Sequence, residues 1–428
     1  MNGDVPVYYE SIPVGCIEVN PDGPTFTYDM GWIGRPNAFP LSVLMPLQQG
    51  HVGAETLLPW LMNLLPEGNA LPALGRNLGV SPQDVVGLVA RIGRDTAGAF
   101  SIGPPRAATG PRYLPMPGQH SLERIIMELP AKPFLAGEEG VSMSLAGAQE
   151  KLPVALIDGG LAIPINGAPS THILKPDIAR LEGSVQNEAL CMVLAGRVGQ
   201  RVAGVTTGIA GARSYLLVTR FDRMQRGGDW RRLHQEDFCQ ALGLPPSARY
   251  EHNHSGIKGP SLADFFSLVR RHMQAADMLR LRDAIILNVL LTNVDAHAKN
   301  YSLLLTGRGA ALAPLYDLMC GAAWPGVTQN MAQDIAGKSR GQHLAARHWR
   351  RMAKACGING TALVRRVREL ASKVAAEIDE AAAQVRAMPA GDHPRLPDFV
   401  GAINASCRNI VANLAEPDLD SGPAEASG

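Results

Sequence analysis

The chain has 428 residues, 46% of them hydrophobic and 18% charged, which is enough for two or three globular domains with large cores. Its 40 basic and 39 acidic residues leave a formal charge of +1, so no global basicity points to nucleic acid. No apolar run approaches the roughly 18 residues of a membrane helix, and the start, Met1-Asn2-Gly3-Asp4, lacks the basic-then-apolar pattern of a signal peptide; a cytoplasmic protein without membrane contact is expected.

In chain order, Ile17-Glu18-Val19 and Thr25-Phe26-Thr27-Tyr28 alternate around Pro21-Asp22-Gly23, which predicts a hairpin within strands over 12–32. An apolar run at 57–65 reads as a helix, and Ser81-Pro82 reads as the N-cap and first position of the next. Residues 103–118 carry prolines at 104, 105, 111, 115 and 117 and read as a linker. Strands at 152–157 and 161–165 flank Asp158-Gly159-Gly160, a hairpin signal. A short strand at 171–174 ends at Lys175-Pro176, an amphipathic helix covers 187–198, and a strand covers 215–218. Leu233 to Phe238 joins this strand region to a mostly helical remainder, and the stretch from Glu416 is acidic and aromatic-free, hence a disordered tail. Cys16, Cys191, Cys239, Cys320, Cys356 and Cys407 are scattered without a C-x-x-C pair, so neither a zinc site nor a disulfide framework is predicted.

The chemistry concentrates in Asn293-Val294-Asp295-Ala296-His297-Ala298-Lys299-Asn300, between apolar runs at 283–291 and 301–305. Phosphoryl transfer uses an Asp that takes the acceptor hydroxyl's proton and an Asn five residues on that holds a metal ion. The same residue types also cap helices and turns. Asp317, after a further apolar stretch, stands where a second metal-holding Asp is wanted. Lys175, at a strand end, either reaches nucleotide phosphates or is a solvated lysine. Glu188 either pairs with that lysine or is an ordinary first-turn acid. The small-residue loop over 140–147, followed by Lys151, either lies over phosphates or is a connector. Loop, strand lysine, helix glutamate, connector, D-x-x-x-x-N and a further Asp follow the order of a two-lobed phosphotransferase.

These segments resemble the HipA family of serine/threonine kinase toxins: SLAGAQEK (144–151), HILKP (172–176), NEALCMVLAG (187–196), VTRFDR (218–223), RLHQEDFCQALG (232–243), NVDAHAKN (293–300) and LYDL (315–318), with PLSVLMPL (40–47), NLLPEG (63–68) and IGRDTAGA (92–99) before them. The resemblance implies an α+β protein: an N-terminal α/β domain over 1–103, a proline-rich linker over 104–118, a β-rich ATP-binding region over 119–236, a mostly helical catalytic lobe over 237–414 and a tail over 415–428. It implies ATP and Mg2+ as cofactors. Asp295 would be the base, Asn300 and Asp317 would hold magnesium, and Lys175 and Lys151 would contact phosphates. Glu236 and Phe238 would present hinge backbone to adenine, Ala97 would pack against the nucleotide, and Ser144 would be autophosphorylated, ejecting its loop. His297 would make a structural hydrogen bond. The implied partners are a small HipB-like helix-turn-helix antitoxin, operator DNA through the antitoxin complex, and a protein substrate such as an aminoacyl-tRNA synthetase, glutamyl-tRNA synthetase being the best known. Two other readings of the same residues are a metal-dependent phosphoesterase or nuclease using Asp295, His297 and Asp317, and a decayed, non-catalytic co-repressor.

Overall fold

The computed structural model describes residues 4–103, 110–116 and 118–415. The acidic tail from 416, and residues 104–109 and 117 of the proline-rich stretch, lie outside these residues. A five-stranded antiparallel sheet opens the chain, in the order His51–Val52, Gly23–Tyr28, Ile12–Asn20, Val5–Tyr9, Phe100–Ile102. The predicted hairpin is its centre, with Val14, Ile17, Phe26 and Tyr28 buried on the core side. Gly15 lies opposite Tyr28, and a Cβ there would come within 2.3 Å of the Thr27 carbonyl, so the strands can approach only with glycine in that place. The strands end at Tyr28, short of the predicted 32, because Asp29 caps a one-turn helix, Met30–Ile33, through the Gly31 and Trp32 amides.

Helices Ala54–Met62, Ala70–Leu78 and Val85–Ile92 cover this sheet's core. The last begins later than Ser81-Pro82 suggests. Asp84 is its N-cap, accepting the Gly87 N–H at 2.8 Å, while the Ser81 hydroxyl serves the preceding turn by accepting from Gln83. A carboxylate at the start of a helix also meets the favourable end of its dipole. Asp84→Ala should therefore cost about 1 kcal/mol, read as a shift in urea midpoint, and Ser81→Ala should cost less.

A six-stranded antiparallel sheet follows, ordered Val205–Ala210, Arg213–Thr219, His172–Pro176, Leu152–Ile157, Gly160–Ile165, Arg112–Pro115. The Asp158-Gly159 turn has both residues at positive φ, 49° and 80°, as a tight hairpin requires. Arg112–Pro115, read from sequence as linker, is instead an edge strand paired with 162–165. Proline is tolerated there because its missing N–H faces no partner. The next helix spans Ser184–Arg197 and starts three residues before Asn187, since Gly183 in a left-handed conformation breaks the chain at that point. Glu188 thus lies beyond the first turn, and the helix-dipole account of it lapses.

The largest core belongs to the helical remainder, built by Leu262–His272, Ala275–Leu290, Ala346–Cys356, Gly360–Arg386 and Leu396–Asn413 around Phe265, Trp349, Leu370 and Phe399. It extends to Leu190 and Leu216 of the strand region. A three-stranded sheet, His234–Asp237, Ser302–Thr306 and Gly309–Leu312, lies against it. No described helix is long and apolar enough to cross a membrane.

Candidate active site

A cleft of about 1180 Å3 is lined by the strand region, the helical region and Asn63, Glu67 and Ala97 of the N-terminal part. Pockets for small ligands usually fall between about 300 and 1,000 Å3, so a nucleotide leaves room for part of a second substrate. Lys175 enters from a central strand, opposite Leu216. Its ammonium is 2.7 Å from Glu188 and 2.6 Å from Asp317. Burial alone would lower the Lys175 pKa, but Asp317 and Glu188 outweigh it and raise the pKa. Burial pushes Asp317 up, yet Lys175 and Lys151 together bring it down to about 2. Glu188, more deeply buried, is held above the usual carboxylate range by that burial despite Lys175. Lys175 hydrogen-bonds both acids, and burial opposes ionisation more at Glu188 than at Asp317.

The helix Ala275–Leu290 ends beneath the catalytic-type loop. Thr292 at φ 56° reverses the chain, and the short helix Ala298–Asn300 returns it to the strand Ser302–Thr306. Asp295 opens onto the cleft with 58% of its side chain exposed. That opening faces the cleft rather than bulk water, so burial raises its pKa, opposed by the Tyr250 hydroxyl and assisted by Asp317. The Tyr250 hydroxyl donates to Asp295 Oδ1. The Asn300 amide nitrogen donates to the Asp295 carbonyl at 2.7 Å, which leaves its amide oxygen for another partner. Among the described residues the His297 ring does not form the expected structural hydrogen bond: its Nε2 is 4.0 Å from Asp295, too long for one, its Nδ1 has no partner there, and its ring packs edge-on against Tyr250. Burial pushes its pKa down to about 3, which makes it a poor proton carrier at neutral pH.

On the opposite wall, Lys151 donates to the Ala146 carbonyl at 2.5 Å, and burial together with Lys175 lowers its pKa to about 8. Gly147 sits at φ 103°, and a Cβ at that position would lie only 2.7 Å from the Lys151 ammonium, so the loop fits over the lysine only with glycine. Ser144 is turned away from the cleft. Its hydroxyl donates to the Leu64 carbonyl at 2.6 Å and is buried.

Glu236 and Phe238 do not reach the cleft. They belong to a sheet-forming segment whose sides are already used: Glu236 lies opposite Leu303, its carboxylate accepts the Val43 N–H, and the Phe238 N–H donates to the Tyr301 carbonyl. Gln235 and Asp237, facing the other way, do line it. The segment that borders the cleft between strands and helices is Thr219-Arg220-Phe221-Asp222. There the Phe221 ring stacks on Tyr316 at 5.5 Å, and its backbone N–H finds no acceptor among the described residues. The sequence offered VTRFDR as a match without a role, because nothing in it distinguishes a hinge from a strand end.

Burial gives Glu236 a pKa of about 8, opposed by the Val43 N–H. A carboxyl whose folded pKa lies above its unfolded value favours the fold when protonated, so stability falls as pH rises from about 4.5 to about 8. Glu236→Gln should flatten that slope in a denaturant series across pH; an unchanged slope would show that Glu236 does not cause it.

Two of the site's features bear on the groups it could hold. A backbone N–H without an acceptor among the described residues, beside an aromatic stack, suits a base edge, and the two lysines suit phosphates. Asp317 and Asn300 offer two oxygens to the cleft, a donor set that fits magnesium, which is usually held by one or two protein groups plus water and phosphate oxygens.

Comparison with known proteins agrees with this architecture. The family model of the HipA N-terminal domain matches residues 5–103, and that of the HipA-like C-terminal domain matches residues 143–382. Y4mE of Sinorhizobium fredii, an inferred kinase, is 41% identical over 80% of this chain and 82% of its own. The serine/threonine-protein kinase toxin HipA of Shewanella oneidensis is 34% identical over 75% of this chain and 76% of its own. The structure of Shewanella oneidensis HipA, solved with HipB and operator DNA, superposes with a TM-score of 0.83 at 26% identity, covering 95% of this chain and 97% of that one. With both domains matched in order and the whole architecture shared, the chain belongs to the HipA family.

Proposed function

We propose that the chain is an ATP- and magnesium-dependent protein serine/threonine kinase and the toxin of a toxin–antitoxin pair. The observation that carries this reading is the Lys175 ammonium held between Glu188 and Asp317, in the same cleft as Asp295 and Asn300. Lys175 and Lys151 bind and orient the triphosphate, Ala97 packs against the nucleotide, and the Phe221 N–H receives the base. Asp295 accepts the proton of the acceptor hydroxyl as that oxygen attacks the γ-phosphorus and ADP leaves. Asp317 and Asn300 hold magnesium, which when bound neutralises charge developing on the phosphate oxygens. In this reading the junction between the ATP-binding and helical parts lies at 219–222 rather than at 236.

The partners proposed are those of the family: a HipB-like antitoxin with operator DNA, as in the Shewanella complex, and an aminoacyl-tRNA synthetase or other translation factor as substrate. Purified protein given labelled ATP and magnesium is expected to label itself on Ser144. Because that hydroxyl is buried against Leu64, labelling requires the 144–149 loop to leave its seat, and it should be slow beside transfer to a foreign substrate. Ser144→Ala should keep that transfer and arrest growth more strongly on expression, at a cost of about 1 kcal/mol for the lost hydrogen bond. Weaker arrest, with the protein still folded, would count against shut-off through Ser144.

A further inference from the structure

The segment NLLPEG (63–68) has no role in the chemistry above, yet it touches both walls of the cleft. On the phosphate-loop side, the Glu67 N–H donates to the Gly147 carbonyl at 3.1 Å, and the Leu64 carbonyl accepts from Ser144. On the catalytic side, Asn63 Oδ1 accepts from Lys299 at 2.6 Å. The Glu67 carboxylate binds Arg249 Nη1 at 2.5 Å and lies 3.5 Å from the Lys299 ammonium, which is also 3.5 Å from the Asp237 carboxylate. Arg249 in turn sits over the Tyr250 ring, 5.0 Å from its centroid, and the Tyr250 hydroxyl donates to Asp295. Lys299 immediately precedes Asn300 in the chain.

We propose that Glu67 is a positioning residue for phosphoryl transfer: a single carboxylate of the N-terminal part sets Asp295 through Arg249 and Tyr250, and Asn300 through Lys299. The inference rests on the kinase reading and deepens it. Glu67 is the one carboxylate ion-paired with Arg249 among the described residues, and Arg249 Nε is buried without a partner. Arg249 Nη1 also donates to the Pro246 carbonyl at 2.9 Å, so Glu67 supplies the guanidinium's charged anchor beside a main-chain one. A guanidinium drawn away from its acid would disturb the phenol it lies over, 5.0 Å from the ring centroid. Tyr250 occupies only one oxygen of Asp295, so it fixes the carboxylate's rotation and leaves the second oxygen for the acceptor hydroxyl. The bland alternative is that Glu67 merely ties the N-terminal part to the rest. The two accounts differ in what they do to the chemical step.

Glu67→Gln keeps the side chain's shape and the main-chain bond to Gly147 while removing the charge. The rate of transfer at saturating ATP should fall about 10- to 100-fold, as expected for a reacting group misplaced by about 1 Å, with affinity for a fluorescent ATP analogue changed by less than about three-fold. Glu67→Asp should recover part of the rate. The double variant Glu67→Gln/Arg249→Gln should be no slower than the slower single variant, because both act through one contact. Thermal midpoints are taken alongside. An unchanged rate in Glu67→Gln, or losses that multiply in the double variant, overturns the positioning role. Absence of transfer in the unaltered chain overturns the kinase reading itself, and the positioning role with it.

Discussion

Asp295→Asn is expected to lower phosphoryl transfer by about 10²- to 10⁴-fold, the usual contribution of a positioned proton acceptor. Fold and nucleotide affinity should be close to unaltered, for three reasons. The side chain is 58% exposed to the cleft, so its removal leaves no buried cavity. The hydrogen bond that shapes the loop uses the Asp295 carbonyl, not its carboxylate. The contacts proposed for the triphosphate belong to Lys175 and Lys151, on the opposite wall. Asparagine can still take the Tyr250 hydroxyl but cannot accept a proton. In the unaltered chain, transfer should decline at acid pH, and the decline should begin above the ordinary carboxylate range because burial raises the Asp295 pKa. Single-turnover transfer against pH checks both points. A variant that transfers at the unaltered rate would remove Asp295 from the chemistry.

The legibility of this site from sequence follows the distance over which each feature is encoded. Asp295, Asn300, Asp317, Lys175 and Glu188 could be named from sequence because each lies in a short segment with its own local signal, and the structure brings them together around one cleft. Asn63, Glu67, Arg249 and Tyr250 were missed because their meaning lies in contacts between segments, with Glu67 and Arg249 separated by 182 positions. The proposed hinge differs from the one expected at Glu236 and Phe238 for a related reason. Both RLHQEDF and VTRFDR pass from strand to non-strand, and only pairing tells them apart: the first is laddered to Ser302–Thr306, while the second leaves its sheet after Thr219. The Asp84 cap and the Arg112–Pro115 edge strand were local competitions that composition left open. Asp84 prevailed because its carboxylate reaches the Gly87 amide at the helix start, and the proline-rich strand formed because an edge position tolerates proline.

Asp95→Asn is expected to cost about 3–5 kcal/mol of stability, the usual penalty for breaking a buried ion network from one side. Asp95 is 1% exposed. Its Oδ1 accepts from Arg223 at 2.9 Å and from Arg232 at 2.9 Å, and its Oδ2 accepts from the Ser170 hydroxyl at 2.6 Å. Arg220, in the hinge segment, lies 3.7 Å away and is held mainly by Asp222. Three buried guanidiniums thus share two carboxylates, and removing one charge leaves the excess without an outlet to water. Burial alone would raise the Asp95 pKa, but Arg223, Arg232 and Arg220 hold it well below the usual range. Its stabilisation is therefore complete above the unfolded value of 3.8 and fades as pH falls further through the depressed folded value. Asp177→Asn is the control. Its partner Arg213 is 31% exposed and Asp177 itself 30%, so screening by water should keep the loss within about 1 kcal/mol. Urea midpoints of the two variants at pH 7 decide the matter. Because Arg220 borders the cleft, Asp95→Asn should also weaken ATP-analogue binding, whereas Asp84→Ala, on a helix start remote from that hinge, should not. Equal losses in Asp95→Asn and Asp177→Asn would mean that the buried network is no stronger than a surface pair, and that the hinge is held by main-chain pairing alone.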